Sequence, residues 1–273
     1  MTPERLDVHL VAAGSARSRT LAQRWIREGR VRVADQVVRR PSYPVPDGAR
    51  VEVEGDGDEP VGRGALKLGA ALQRWQGRGL RVAGRRCLDV GASTGGFTQV
   101  LLQHGATHVT ALDVGHGQLA PELAADPRVR DLPGTNIRDV TPSDLGDPVG
   151  LAVVDVSFIS LTLVLAPLAA LLAPEGDVVL LVKPQFEVGR DALGRGGIVR
   201  DPRAREQALL RVAEQACQVG LRPVAAMTSP VTGTHGNIEH LLWLRPGAPG
   251  IMDDTDREHI RAPAGTAGTE EGQ

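Results

Sequence analysis

The chain is short of cysteine, of lysine, of net positive charge and of any uninterrupted apolar run. Two cysteines in 273 residues, Cys87 and Cys217, are too few for a disulfide framework or a four-cysteine zinc site. Thirty-one basic residues against thirty-three acidic ones give a formal net charge of −2, which excludes a uniformly cationic coat for nucleic acid. A polyanion therefore has to meet a local patch. Residues 1–10 hold two acids and no apolar stretch and do not read as a signal peptide. The longest charge-free run, 156–174, is interrupted by Ser157, Ser160 and Pro167 and bracketed by Asp155 and Glu175. A buried strand and helix account for it better than a membrane span of about 20 apolar residues. The expectation is a soluble, cytoplasmic protein of a reducing compartment.

Lysine is the most informative scarcity. Only Lys67 and Lys183 are lysines; arginine supplies every other positive side chain. An amine can give up its proton near neutral pH and a guanidinium cannot, so a lysine that survives such a bias marks a position where arginine fails as a substitute.

With 41% hydrophobic residues the chain can bury a sizeable core, and at about 150 residues per domain its length suits a catalytic domain with a small companion. Residues 5–13 and 18–28 read as helices stopped at Gly14 and Gly29, the second with Leu21, Ala22, Trp25 and Ile26 on one face. RVRVADQVV and DGARVEVE alternate as short strands do. Residues 1–53 hold ten arginines and six acids, and the acidic EGDGDE that follows reads as a linker. From residue 63 helices alternate with strands: GALKLGAALQRW, RCLDV, FTQVLLQHG, HVTALDV, a helical stretch near 117–125, LAVVDV, SLTLVLAPLAALL, DVVLLV and helix 203–218. VAAMTS and IEHLLWL then follow without a helix between them. This is an α/β pattern of βαβ units on a mostly parallel sheet that ends in an antiparallel pair. The expected domains are 1–54, a linker 55–62, a second domain 63–246, and a frayed tail 247–273.

The sharpest motif is Asp89-Val90-Gly91-Ala92-Ser93-Thr94-Gly95-Gly96, on the first strand-to-helix turn. Small residues there let backbone approach a ligand, and the next helix N-terminus favours an anion. Asp113, ending the second strand, is placed to accept both hydroxyls of a ribose. The spacing is not G-x-G-x-x-G, which disfavours a nicotinamide dinucleotide, and neither lysine follows a glycine, which excludes a P-loop. S-adenosylmethionine remains as the ligand. The same residues also spell G-x-S-x-G, a nucleophile elbow with Ser93, for which Asp155 and His235 or His240 complete a hydrolase order. Against that reading, the elbow ends the first strand of its sheet instead of a later one. Asp155 and Lys183 sit at strand ends that border the same crevice, Glu239 lies in HGNIEHLLWL, and Lys67 lies on the helix before the first strand. Taken singly, each has a plainer reading as a cap or a solvated charge.

These residues carry a resemblance. RLDVHLVAAGSARSR, RGALKL, RCLDVGASTGGFT, ALDVGHGQL, VVDVSFISL, LVKPQFEVG, GGIVRDP and GNIEHLLWL, in that order, resemble the TlyA-type (haemolysin A-like) ribosomal RNA 2′-O-methyltransferases over residues 1 to about 246. The resemblance implies an S-four-type α+β RNA-binding domain before an FtsJ-like, Rossmann-like class I methyltransferase domain with a seven-stranded sheet whose last strand is antiparallel. It implies S-adenosylmethionine as methyl donor and a Lys-Asp-Lys-Glu tetrad at Lys67, Asp155, Lys183 and Glu239. The donor turn falls on Asp89, Gly91, Ala92, Ser93 and Gly96 with Gly95 between them, the ribose acid on Asp113, and an adenine-facing position, often Asp in the family, on Asn136 after the third strand. In this reading Lys183 takes the 2′-hydroxyl proton and no metal is needed. Arg17, Arg19, Arg24, Arg27, Arg30 and Arg32 would face RNA phosphates, and the partner would be a ribosomal subunit with cytidines of small- or large-subunit RNA as targets. The residues leave the subunit and nucleotide open. Residues 189–198 read equally as a lid near Lys183 or a surface loop. The non-enzymatic alternative is an RNA-binding ribosome-assembly factor with a vestigial pocket, against which the intact tetrad argues. The haemolysin label implies membrane lysis, for which the sequence offers no spanning segment.

Overall fold

The computed structural model describes residues 4–257 other than 17, 55–60, 190–192, 195, 234, 249, 252 and 256. Arg17, most of the expected linker, part of 189–198 and the end of the tail lie outside the described residues. The chain divides into two compact units, Met1–Glu59 and Pro60–Gln273.

In the first unit, α1 (Leu6–Ala12) and α2 (Arg19–Glu28) share a core with an antiparallel sheet of β1 (Val31–Val33), β2 (Gln36–Val37) and β3 (Val51–Val53), in the order β2-β1-β3. Helix α2 starts where the Ser18 hydroxyl accepts the Leu21 N–H and stops at Gly29, whose φ of +80° needs no side chain. The expected face Leu21, Ala22, Trp25 and Ile26 is buried with Leu6, Leu10 and Val31. The strand read across 30–38 is instead a hairpin. Ala34 and Asp35 take φ of +47° and +65°, and Val33 pairs with Gln36. A two-residue turn of that hand matches the twist of its strands, so the alternating pattern runs through it unbroken.

The second unit runs α3 (Gly64–Trp75), β4 (Arg86–Val90), α4 (Gly96–Gln103), β5 (His108–Asp113), α5 (Pro121–Ala124), β6 (Val129–Pro133), α6 (Pro142–Leu145), β7 (Val149–Val154), α7 (Leu165–Leu171), β8 (Leu172–Val182), α8 (Pro184–Glu187), α9 (Pro202–Gln218), β9 (Leu221–Thr228) and β10 (His240–Pro246). Its seven strands lie in the order β6-β5-β4-β7-β8-β10-β9, with β10 antiparallel to both neighbours. Central strands are apolar on both faces because both are covered: Leu88, Val90, Ala152 and Val154 join one core layer, while Cys87, Leu151 and Val153 join the other. Strand β6, absent from the simple alternation and implied only by the resemblance, is a half-exposed edge, and its VRDLP lacks an apolar run. The helix read across SLTLVLAPLAALL is a tight turn, Leu161–Leu163, followed by α7. Gly247, Gly250 and Asp253, within the expected frayed tail, are tied back onto the end of α9 and the start of β9. The Gly247 N–H bonds the Gly220 carbonyl at 2.8 Å, the Gly250 N–H bonds the Cys217 carbonyl at 2.9 Å, and Asp253 pairs with Arg222 at 2.8 Å.

Strand order reverses at β4, which pairs with β5 on one side and β7 on the other. The crevice beyond the carboxyl ends of those strands is where an open α/β sheet holds its ligand.

Candidate active site

The turn after β4 is built by close approach. Gly91 and Ala92 both donate to the Leu112 carbonyl, at 2.8 and 3.1 Å, which closes the turn against β5. Gly91 has φ of +82°, and a Cβ there would lie 2.5 Å from the Asp155 carbonyl oxygen, so only glycine fits. Ser93 has φ of +48°, a conformation that a side chain rarely adopts, and its N–H donates to Asp113 Oδ2 at 2.8 Å. Gly115 N–H meets Asp113 Oδ1 at 2.7 Å. Asp113 is thus oriented by two backbone donors, and each carboxylate oxygen keeps a further lone pair for a ligand hydroxyl. Gly95, at φ of +95°, opens α4.

A cavity of about 590 Å³ opens beside this turn. Its walls include Gly91, Ala92, Ser93 and Gly96 together with all four tetrad positions, Lys67, Asp155, Lys183 and Glu239. Four residues spread over much of the sequence therefore converge. They arrive as two pairs. Lys67, from α3, donates to Glu239 Oε2 at 2.6 Å, with both side chains buried. Lys183, just past β8, lies 2.6 Å from Asp155 Oδ1 and donates to Ser157 Oγ at 2.7 Å. The Lys183–Asp155 contact is an ion pair without hydrogen-bond alignment, which leaves Oδ1 without a directed partner. Each amine enters with its own carboxylate, so the site carries little net charge.

Two expected donor contacts stand elsewhere. Asp89 points away from the cavity: fully buried on β4, it accepts the Thr98 hydroxyl of α4 at 2.7 Å, and its Oδ1 has no partner. Burial raises its pKa to about 7, with the neighbouring Asp155 and Asp113 adding to the rise and the Thr98 bond opposing it. Strand alternation turns this side chain under α4 and leaves the glycines to face the ligand. Asn136 caps its own turn, its Oδ1 accepting the Arg138 N–H at 3.1 Å, and it is not among the residues that line this cavity.

Several wall residues escaped the sequence reading. Phe158 is 91% exposed, has φ of +63°, and lies 5.2 Å centroid to centroid from Phe186. The chain has three phenylalanines, Phe97, Phe158 and Phe186, and all three line this cavity. The scarcity that singled out the lysines was the signal that marked them. Ser157 and Asn237 are further additions.

The hydrolase constellation does not assemble. Asp155 is committed to Lys183, His240 lies within β10 with its pKa lowered by burial, and no hydrogen bond joins the Ser93 hydroxyl to a histidine among the described residues. His235 lines the cavity. No cluster of metal ligands occurs among the described residues.

In the first unit the named arginines among the described residues, all but Arg17, have internal partners. Arg19 bonds buried Asp7 at 3.0 Å, beside Arg5 at 2.9 Å and Gln23 at 2.7 Å. Arg24 pairs with Glu28, Arg27 with Gln23, Arg30 with the Glu54 carbonyl while lying over Trp25, and Arg32 with the Glu54 carboxylate.

A doubly wound sheet with a glycine turn at its switch point, an oriented acid on the second strand and a polar cavity beside them defines a class I methyltransferase. Comparison with known proteins agrees. The FtsJ-like methyltransferase model matches residues 60–246, and the S4 domain model matches residues 4–51. The 16S/23S rRNA (cytidine-2′-O)-methyltransferase TlyA of Mycobacterium tuberculosis is 48% identical over 266 residues, 95% of this chain and 98% of that protein. Hemolysin A of Brachyspira hyodysenteriae is 38% identical over 238 residues, 87% of this chain and 98% of that one. A solved structure from Streptococcus thermophilus that carries the hemolysin name has a TM-score of 0.69 at 38% identity, covering 95% of each chain. The chain belongs to the FtsJ-like methyltransferase family, in its TlyA group, with an S4 domain in front. It is a methyltransferase dependent on S-adenosylmethionine. No helix among the described residues is long and apolar enough to cross a membrane.

Proposed function

We propose that this protein methylates the ribose 2′-hydroxyl of a cytidine in ribosomal RNA, acting on a ribosomal subunit in the cytoplasm. The observation that carries the reading is the meeting of the chain's only two lysines, each with a carboxylate, on the walls of one cavity beside the glycine turn. Relatives named for cytidine-2′-O methylation of rRNA supply the substrate class.

The residues present fit the methyl donor. Gly91 gives a turn with no room for a side chain, and Asp113 holds acceptor capacity for ribose hydroxyls. When bound, the donor supplies an electrophilic methyl on a good leaving group, so the protein's task is to position and deprotonate the nucleophile. Lys183 in its amine form takes the 2′-hydroxyl proton, and Asp155 offsets the charge that the resulting ammonium carries. Ser157 fixes the direction of Nζ. The Lys67–Glu239 pair forms another part of the wall and orients the ribose. The exposed face of Phe158, backed by Phe186, offers a stacking surface for a base taken out of its stack. The arginine-rich first unit docks on phosphates, with the salt-sensitive affinity such contacts bring.

The experiment is mass-spectrometric mapping of 2′-O-methylation on both purified ribosomal subunits after incubation with the protein and S-adenosylmethionine. The expected result is methylation of cytidine riboses on at least one subunit. Methylation of a base, or none on either subunit, would overturn the reading.

A further inference from the structure

The described part of the glycine-rich 189–198 segment, continued to Val199, is held by a side chain. Gly197 N–H bonds the Gly194 carbonyl at 3.0 Å and Gly194 N–H bonds the Ile198 carbonyl at 3.1 Å, with Gly196 and Gly197 at φ of +76° and +72°. Into this turn comes Asn237, 2% exposed. Its Nδ2 donates to the Gly197 carbonyl at 3.0 Å and its Oδ1 accepts the Val199 N–H at 2.9 Å. Its own carbonyl accepts the Gly233 N–H at 2.9 Å. A carboxamide is a side chain that offers a donor and an acceptor side by side, and here both are spent on one segment. A loop free in solvent would leave such a group to water. Buried, it makes a specific clip.

The clip is close to the site in sequence and in space. Two residues on, Glu239 carries the carboxylate that meets Lys67 at 2.6 Å. The turn that holds Asn237 also hems in that carboxylate, since a Cβ on Gly233 would lie 2.5 Å from Glu239 Oε1. Gly197, Asn237 and Glu239 all line the cavity. Gly233, Asn237 and Glu239 therefore join a wall on one side to the Lys67 partner on the other.

We propose that Asn237 is a positioning residue for methyl transfer: by clipping residues 197–199 to the turn before β10 it sets the orientation of Glu239, and through it of Lys67. This rests on the reading that the Lys67–Glu239 pair serves the reaction. A misplacement of about 1 Å at a reacting centre costs up to roughly 100-fold in rate, which sets the scale of the expected effect.

The test is a double-mutant cycle in the full chain, with ribosomal subunits and S-adenosylmethionine as substrates. Asn237→Ala is expected to lower kcat by about 10- to 100-fold with less than about threefold change in KM for the subunit. Asn237→Asp keeps the size and the acceptor for Val199 but loses the donor to Gly197, and it is expected to fall in kcat as well while melting within a few degrees of the wild type. In a Glu239→Gln background, the Asn237→Ala change is expected to cost less than about threefold, because the group it positions is already disabled. Equal costs in both backgrounds, or a rise in KM at unchanged kcat, would overturn the proposal and make Asn237 an ordinary wall residue. Two further results separate this inference from its premise. Full activity in Glu239→Gln alone removes the premise and the inference together, whereas a crippled Glu239→Gln beside a fully active Asn237→Ala removes the inference only.

Discussion

Charge balance at single residues decides what the cavity can do. Lys67 and Lys183 each meet a carboxylate at 2.6 Å, so a polyanionic substrate does not collapse onto a bare pair of amines. Asp89 shows the opposite situation, a carboxyl buried with one oxygen unpartnered and its pKa pushed up to about 7. The folded chain then holds a proton between roughly pH 4 and pH 7 that the unfolded chain has released, so this group's contribution to stability falls as pH rises through that window and is flat above it. Asp89→Asn is expected to match the wild type near pH 4 and to melt about 5 °C or more higher at pH 8. Thermal melts across that range check it, and a difference independent of pH would contradict it. Lys67 and Lys183 were legible because two lysines among thirty-one basic residues are conspicuous, whereas their grouping with Asp155 and Glu239 was implied by the resemblance. Which lysine pairs with which carboxylate was not legible, since that depends on how α3 and β10 meet. The placement of Asp89 was not legible, because strand alternation, not membership in the glycine motif, puts its side chain under α4.

At the scale of elements, helices and central strands were legible where apolar periodicity is strong. RCLDV and GALKLGAALQRW are β4 and α3 residue for residue. Elements whose stability comes from neighbours were not. Strand β6 survives on its pairing with β5 alone, with Thr110 opposite Arg130 and Leu112 opposite Leu132, and its own sequence shows little strand character. The hairpin at Ala34 and Asp35 was hidden because it lacks the glycine that usually marks such a turn. The turn after β4 is the element on which the site depends most. Gly91→Ala places a methyl group 2.5 Å from the Asp155 carbonyl at a φ of +82°. The expected cost is about 2–4 kcal/mol of stability, together with loss of donor binding by calorimetry. Donor affinity within twofold of the wild type would show that the turn does not set the pocket.

At the scale of the whole molecule, the two units rest on different cores and different buried charges. In the first, Arg5, Gln23 and Arg19 hold the Asp7 carboxyl well below the usual carboxylate range, with the Arg5 bonds the largest cause. The stability this supplies is present above about pH 4 and is lost as pH falls below it. Asp7→Asn is expected to cost about 2 kcal/mol, seen in the intact chain as amide exchange roughly 30-fold faster in α1 and α2 with α9 unchanged. Equal acceleration in both units would contradict independent cores. The two-domain plan was legible from the charge shift near residue 54 and from the change of pattern at 63, and the structural boundary falls between them, at 59.

The measurement that bears most directly on this account compares Lys183→Arg with the wild type, following donor binding by calorimetry and methyl transfer to ribosomal subunits. Arginine preserves the positive charge and cannot act as a base. The account predicts donor affinity within about threefold and transfer reduced at least 100-fold. Transfer at near wild-type rate would show that Lys183 does not take the proton, and the two lysine–carboxylate pairs would lose their role in the chemistry.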